Sequence, residues 1–238
     1  MAQGQRSDEL IVALDFTALG PALRMARRLR DLVRIVKVGN VLFTACGPTV
    51  IQRLRAMGLE VMLDLKFFDI PSTVGMSCRL AVSHRVSMLT VHACGPSQML
   101  EAAVAGARDE AKRLRVDPPL VLGVTVLTSE PDRSGDAVRR RVVRLACAAL
   151  EAGCDGIVAS AREAPWLRKR LGDRCHIVCP GIRPSSFGRS DQRRVATPSQ
   201  ALKGGANRII VGRPIIAAPN PRLVTQRIVR EMEDASGC

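Results

Sequence analysis

The chain has 238 residues, 47% of them hydrophobic but only 3% aromatic, with no tyrosine. That supplies one large core, which Val, Leu, Ile and Ala must fill. The net charge of +14 raises nucleic-acid binding. However, the arginines are spread along the predicted helices and few aromatics could stack on bases. A solvated, Arg-biased surface that favours an anionic substrate is the simpler account.

Leu10–Asp15 reads as a short apolar strand ending in an acid, with residues 1–9 ahead of it as a flexible segment. Pro21 opens a helix to about Asp31, and Val33–Val38 is a second strand with Lys37 near its end. Gly47-Pro48 starts a helix that reaches Met57-Gly58. Leu59–Leu63 is the third strand, followed by a helix over Ser72–Ser83. Val86–His92 and Pro118–Leu127 are strands four and five, separated by a helix over Ser97–Arg113. A helix over Asp136–Ala152 precedes strand six, Asp155–Ala159. A helix over Glu163–Leu171 precedes strand seven, His176–Cys179. A polar loop over Gly181–Arg194 and a short helix at Ser199–Lys203 lead to strand eight, Arg208–Val211. A last helix runs over Pro221–Glu233.

Eight strands, each followed by a helix and with no linker between them, predict a single-domain (β/α)8 TIM barrel over residues 1–238. A doubly wound open sheet is the alternative. It would carry a glycine-rich fingerprint after its first strand, and Leu14-Asp15-Phe16-Thr17 has none.

Met1–Leu10 is polar and does not read as a signal peptide. No run of about 18 apolar residues predicts a membrane span. The eight cysteines form no Cys-x-x-Cys pair and mostly sit in apolar runs. They read as reduced, buried thiols in a reducing compartment, so a cytoplasmic location is expected.

In a barrel the strand C-termini and the loops after them form the active face. Polar residues gather there: Asp15, Lys37, Asp64, Lys66, His92, Thr128, Arg183 and Arg213. Residues two apart on a strand share a face, so Asp64 and Lys66 should project side by side. Asp69 lies beyond them, in a turn closed by Pro71. Charges so close to apolar groups form either a structural ion pair or a working site. Pro180-Gly181-Ile182-Arg183-Pro184 and Val211-Gly212-Arg213-Pro214 follow the final strands, where barrel enzymes often hold phosphate. Gln192 could add an amide from the long loop. His92 has no second histidine or carboxylate at a metal-ligand spacing and reads as structural.

These residues carry a resemblance. Asp64-Leu65-Lys66-Phe67-Phe68-Asp69-Ile70-Pro71-Ser72-Thr73 is similar to the Asp-x-Lys-x-x-Asp-Ile-Pro-x-Thr motif of the orotidine 5′-monophosphate decarboxylase family. Leu14-Asp15, Lys37-Val38-Gly39, Val91-His92-Ala93, Asp191-Gln192 and both phosphate-loop motifs also resemble it, in its order. The chain departs from it at Pro96, where a second glycine is more usual, and at Phe68, often a polar residue.

The resemblance implies decarboxylation of orotidine 5′-phosphate to UMP and CO2, without cofactor or metal. Lys66 would stabilise the C6 carbanion and deliver the proton. Asp64 would keep Lys66 charged beside the departing carboxylate. Lys37 and Asp69 would complete the network, with Asp69 entering the neighbouring subunit's site in a homodimer. Asp15, Lys37 and Thr73 would hold ribose hydroxyls or orient the network, and Thr128 would meet the base. Gln192, Gly212 and Arg213 would hold the phosphate, with Arg183 nearby. No nucleic-acid or membrane partner is expected.

Two rivals remain. One is a Mg²⁺-dependent decarboxylase or aldolase on the same barrel that acts on a sugar phosphate. Such relatives share the Asp-x-Lys-x-x-Asp core but continue with small residues rather than Ile-Pro-x-Thr. The other is a catalytically silent, basic nucleic-acid-binding barrel, which would have no need of Asp64, Lys66 and Asp69 together.

Overall fold

The computed structural model describes residues 7–127, 135–184 and 196–236. The chain alternates β1 (Ser7–Ala13), α1 (Leu19–Leu29), β2 (Val33–Gly39), α2 (Asn40–Cys46), α3 (Thr49–Arg55), β3 (Glu60–Phe67) and α4 (Pro71–Ser83). It continues through β4 (Met88–His92), α5 (Ser97–Leu114), β5 (Leu120–Val124), α6 (Gly135–Glu151), β6 (Gly156–Val158) and α7 (Ala164–Leu171). It ends with β7 (His176–Cys179), α8 (Pro198–Lys203), β8 (Arg208–Val211), α9 (Arg213–Ile216) and α10 (Pro221–Ser236). The strands pair in sequence order and β1 closes on β8, a closed parallel barrel. The open doubly wound sheet is thereby set aside.

Two apolar layers follow from the strand period of two. One set points into the barrel and fills it: Ile11 and Ala13, Ile35, Met62, Met88, Leu122 and Val124, Val158, Val178 and Ile210. Every strand contributes, so the interior is a plug and not a pore. The alternate residues, such as Val12, Val36, Val61, Leu89 and Ile209, point outward under the helices. The helices answer with apolar stripes. In α1 the buried residues are Ala22, Met25, Ala26 and Leu29, the i, i+3, i+4, i+7 pattern of one face.

Several boundaries differ from the sequence expectation. β1 begins at Ser7, whose N–H donates to the Leu32 carbonyl. Ser7, Asp8 and Glu9, expected in the flexible segment, are therefore in the barrel. β5 starts at Leu120 and not Pro118, since Pro118 and Pro119 have no N–H to donate to a ladder. α2 and α9 were not foreseen. Only Leu42 of α2 is buried, and α9 spans four residues, so neither has a readable period.

The third strand carries the largest departure. It runs on to Phe67 and not to Leu63. Against β4, Leu63 pairs with Leu89 and Phe67 with Val91. Asp64, Leu65 and Lys66 therefore bulge opposite a single residue, Thr90.

Candidate active site

The inward pattern that builds the plug also builds the site. Two residues past Ile35 comes Lys37, two past Met62 comes Asp64, and two past Met88 comes Thr90. Asp15 is two past Ala13. The same inward faces thus change from apolar to polar at the C-terminal end of the barrel. A cavity of about 230 Å³ opens there. Ala13, Val124, Val158 and Ile210, the top of the plug, form its floor, and Asp15, Lys37, Asp64 and Lys66 form one wall.

The charges in this wall alternate. Lys37 Nζ lies 3.3 Å from Asp15 Oδ1 and 3.3 Å from Asp64 Oδ2. Asp64 Oδ1 accepts from Lys66 Nζ at 2.8 Å and from Thr90 Oγ1 at 3.0 Å. At such separations, with an effective dielectric of about 20, each ionic contact is of order 5 kcal/mol of attraction before desolvation is subtracted. Two cations face one buried carboxylate, so the attraction decides its state. Burial alone would push the Asp64 carboxyl up. The Lys37 and Lys66 ammonium groups, with hydrogen bonds from Lys66 and Thr90, outweigh burial and hold it below the usual carboxylate range. Asp64 therefore stays ionised at neutral pH.

The expected pairing of Asp64 with Lys66 is present, but regular strand alternation does not produce it. Lys66 has φ 53°, in the left-handed region, a conformation that costs a non-glycine residue on the order of 1–3 kcal/mol. Its N–H leaves the β ladder and donates to Thr90 Oγ1 at 2.9 Å. Nearby, Gly39 leaves room for Lys37: a Cβ at Gly39 would lie 2.9 Å from Lys37 Nζ. Gly212 does the same for β1, since its Cβ would meet Ala13 Cβ and Asp15 Oδ2, each at 3.3 Å.

Gly181, Arg183, Gly212 and Arg213, expected around a phosphate, line the same cavity on the β7–β8 side. Gly181 has φ 77°, which favours glycine. The Arg183 N–H donates to the Ala196 carbonyl at 3.0 Å, tying this loop to the chain just ahead of α8.

Other expected residues lie elsewhere. Asp69 and Thr73 are both exposed and do not line the cavity of their own chain. The Asp69 carboxylate instead accepts from the Ile70 N–H at 2.6 Å, and Thr73 is in the first turn of α4. Thr128 and Gln192 lie outside the described residues. His92 is off the cavity wall and makes an edge-to-face contact with Phe68 at 6.0 Å between ring centres. Burial pulls its imidazole down, Lys66 adds to that and Asp64 opposes it, which fits a packing role. Sequence reasoning missed Thr90, which is fully buried. The signal was available, since Thr90 holds the same inward position on β4 that Asp64 holds on β3. Among the described residues, no three His, Cys, Asp or Glu side chains gather at metal-binding spacing.

Residues 8–228 match the profile of the family described as orotidine 5′-phosphate decarboxylase / HUMPS. The chain is 42% identical to the orotidine 5′-phosphate decarboxylase of Moorella thermoacetica over 240 aligned positions, covering 98% of this chain and 95% of the relative. It is 43% identical to that of Syntrophotalea carbinolica, covering 95% and 96%. The crystal structure of orotidine 5′-phosphate decarboxylase from Lactobacillus acidophilus superposes with a TM-score of 0.81 at 33% identity, covering 95% of this chain and 99% of that one.

Proposed function

The chain belongs to the orotidine 5′-phosphate decarboxylase / HUMPS family, and from that premise we propose that it converts orotidine 5′-phosphate to UMP and CO2, the final step of UMP synthesis. The observation that carries this reading is the line Asp15–Lys37–Asp64–Lys66 above an apolar floor. Loss of CO2 leaves a carbanion at C6 of the pyrimidine. The Lys66 ammonium faces the cavity and can stabilise that charge and then donate its proton to C6. Asp64 holds the Lys66 amino group through their 2.8 Å ion pair and places negative charge where the substrate carboxylate must sit. Lys37 keeps Asp64 ionised, and with Asp15 offers donors and acceptors to ribose hydroxyls. Thr128 would meet the base. These charges are in place before substrate arrives, so little reorganisation is needed during reaction. The sugar-phosphate rival shares the acid–lysine–acid core, but the Ile70-Pro71-Ser72-Thr73 continuation speaks for orotidylate. The direct test is incubation of the purified protein with orotidylate, followed by pyrimidine absorbance. Conversion to UMP with equimolar CO2 is expected, and no conversion would overturn the reading.

Arg213 and Gly212, with Gln192 and Arg183, would hold the phosphate at the far side of the cavity. Phosphate is remote from the bond that breaks, but its binding energy supports positioning. Arg213→Ala should raise the KM for orotidylate by at least about tenfold, the lower value for a hydrogen bond between charged groups. Decarboxylation of the phosphate-free nucleoside orotidine should be far less affected. Equal losses on both substrates would remove Arg213 from the phosphate site.

The working form is a homodimer in which Asp69 enters the partner's site. What supports this is the surface around Asp69. Phe68 and Ile70 flank it and are 58% and 63% exposed, and Met76 and Leu80 lie one turn apart on α4, each 57% exposed. Exposed apolar residues gathered in this way mark an interaction surface. Thr73 shares this rim and would accompany Asp69 across. The cytoplasm is the expected compartment. Burial pushes the thiols of Cys78, Cys154 and Cys179 up to about 12, as befits inert core residues. No helix among the described residues is long and apolar enough to cross a membrane.

A further inference from the structure

We propose that Thr90 is the positioning residue of this site: its one hydroxyl sets both the Lys66 backbone and the Asp64 carboxylate. The inference rests on the decarboxylase reading for its kinetic test and on geometry for the rest.

Thr90 is the single β4 residue opposite the three-residue bulge Asp64-Leu65-Lys66. A bulge leaves backbone groups without ladder partners, and a buried N–H left unpaired is costly. A threonine hydroxyl has one proton to donate and two lone pairs to accept with. Here the proton goes to Asp64 Oδ1 at 3.0 Å and a lone pair takes the Lys66 N–H at 2.9 Å. The Lys66 N–H is thus satisfied in the left-handed conformation, φ 53°. Loss of that bond would leave the Lys66 N–H unpaired and remove a contact that offsets the cost of the conformation, so the residue should relax toward ordinary strand angles.

The second bond acts on the same pair from the other end. Asp64 Oδ1 receives both Lys66 Nζ and Thr90 Oγ1, leaving Oδ2 for Lys37. Thr90 therefore holds the carboxylate plane so that each oxygen faces one lysine. Backbone and side chain of the proton donor are both referred to one buried atom. Thr90 has no place on the cavity wall, so it acts through Lys66 and Asp64 and not on substrate.

The test compares Thr90→Val, close in shape but without the hydroxyl, with Thr90→Ser, which keeps it. Sites are counted by UMP binding, so that lost stability is not read as lost catalysis. Per UMP-binding site, Thr90→Val should lose about 10- to 100-fold in kcat, the equivalent of one hydrogen bond to a charged group. KM for orotidylate should change little. Thr90→Ser should stay within about threefold of wild type, because the bonds are kept. A Val variant with wild-type kcat per site, or a Ser variant as impaired as Val, overturns the proposal. Should Thr90→Val not fold, Thr90→Cys retains the volume with a weak donor and acceptor. It should then fall measurably below Thr90→Ser, and wild-type kcat there overturns the proposal. A crystal structure of Thr90→Val, or of Thr90→Cys in its place, reads the geometry without turnover. Lys66 leaving its left-handed φ, or Asp64 turning from Lys66, is expected, and a site superimposable on the wild type contradicts it. If the wild-type protein fails to turn over orotidylate, the functional reading falls, while this structural comparison still decides the role of Thr90.

Discussion

Replacing Lys66 by alanine should abolish most turnover while sparing product binding. The change removes the ammonium that faces the cavity and leaves Asp64 with one cationic partner, Lys37, in place of two. A positioned general acid alone is worth about 10²–10⁴-fold, or roughly 3–5 kcal/mol of barrier. Loss of stabilisation for the carbanion adds to that, so the fall in kcat should be at least that large. UMP carries no negative charge at C6 and has no proton to receive there. On the proposed assignment its affinity would rest on phosphate and ribose contacts made by other residues, among them Arg213, Asp15 and Lys37. Calorimetric titration with UMP should therefore give binding close to wild type for Lys66→Ala. A variant that retained more than about a tenth of wild-type turnover would remove Lys66 as the proton donor, since even the low end of the acid's contribution would then be missing.

Mixing two inactive variants should restore about a quarter of wild-type activity. Asp69 does not reach the cavity of its own chain. It is in an exposed turn among exposed apolar residues, where a partner could receive it. In a two-fold dimer each chain gives the same group to the other. Lys66→Ala and Asp69→Ala homodimers should each be poorly active. After chain exchange by random pairing, about half the dimers are mixed. One site of each mixed dimer then carries both defects. The other takes Lys66 from one chain and Asp69 from its partner and is complete. About one site in four is therefore intact on the same pairing. If Asp69 served its own chain, every site in the mixture would carry one defect. No recovery, with chain exchange verified by mass spectrometry, would rule out the shared site.

Much of this site could be read along the chain because a strand has a simple period. Lys37, Asp64 and Asp15 follow apolar inward residues at a spacing of two, and the eight strand–helix units imply the barrel that gathers them. What could not be read depends on contacts between strands. The Asp64–Lys66 pair was expected from regular alternation, yet β3 is irregular there, and the residue that stabilises the irregularity is on β4. No window of sequence around Lys66 contains Thr90. Asp69 and Thr73 were placed near the chemistry by motif, but the turn at Ile70-Pro71 carries both outward. Whether they act depends on a second chain, which one chain's periodicity cannot encode. Thr128 and Gln192, assigned to the base and the phosphate, lie outside the described residues and rest on the motif alone.

The most direct measurement is orotidylate turnover by the purified protein after exhaustive treatment with EDTA. Lys66 is proposed to supply both the charge stabilisation and the proton, so the account predicts UMP formation at the untreated rate, with no further gain from added Mg²⁺. Turnover that disappears in EDTA and returns with Mg²⁺ would contradict it and favour the sugar-phosphate chemistry of the rival reading.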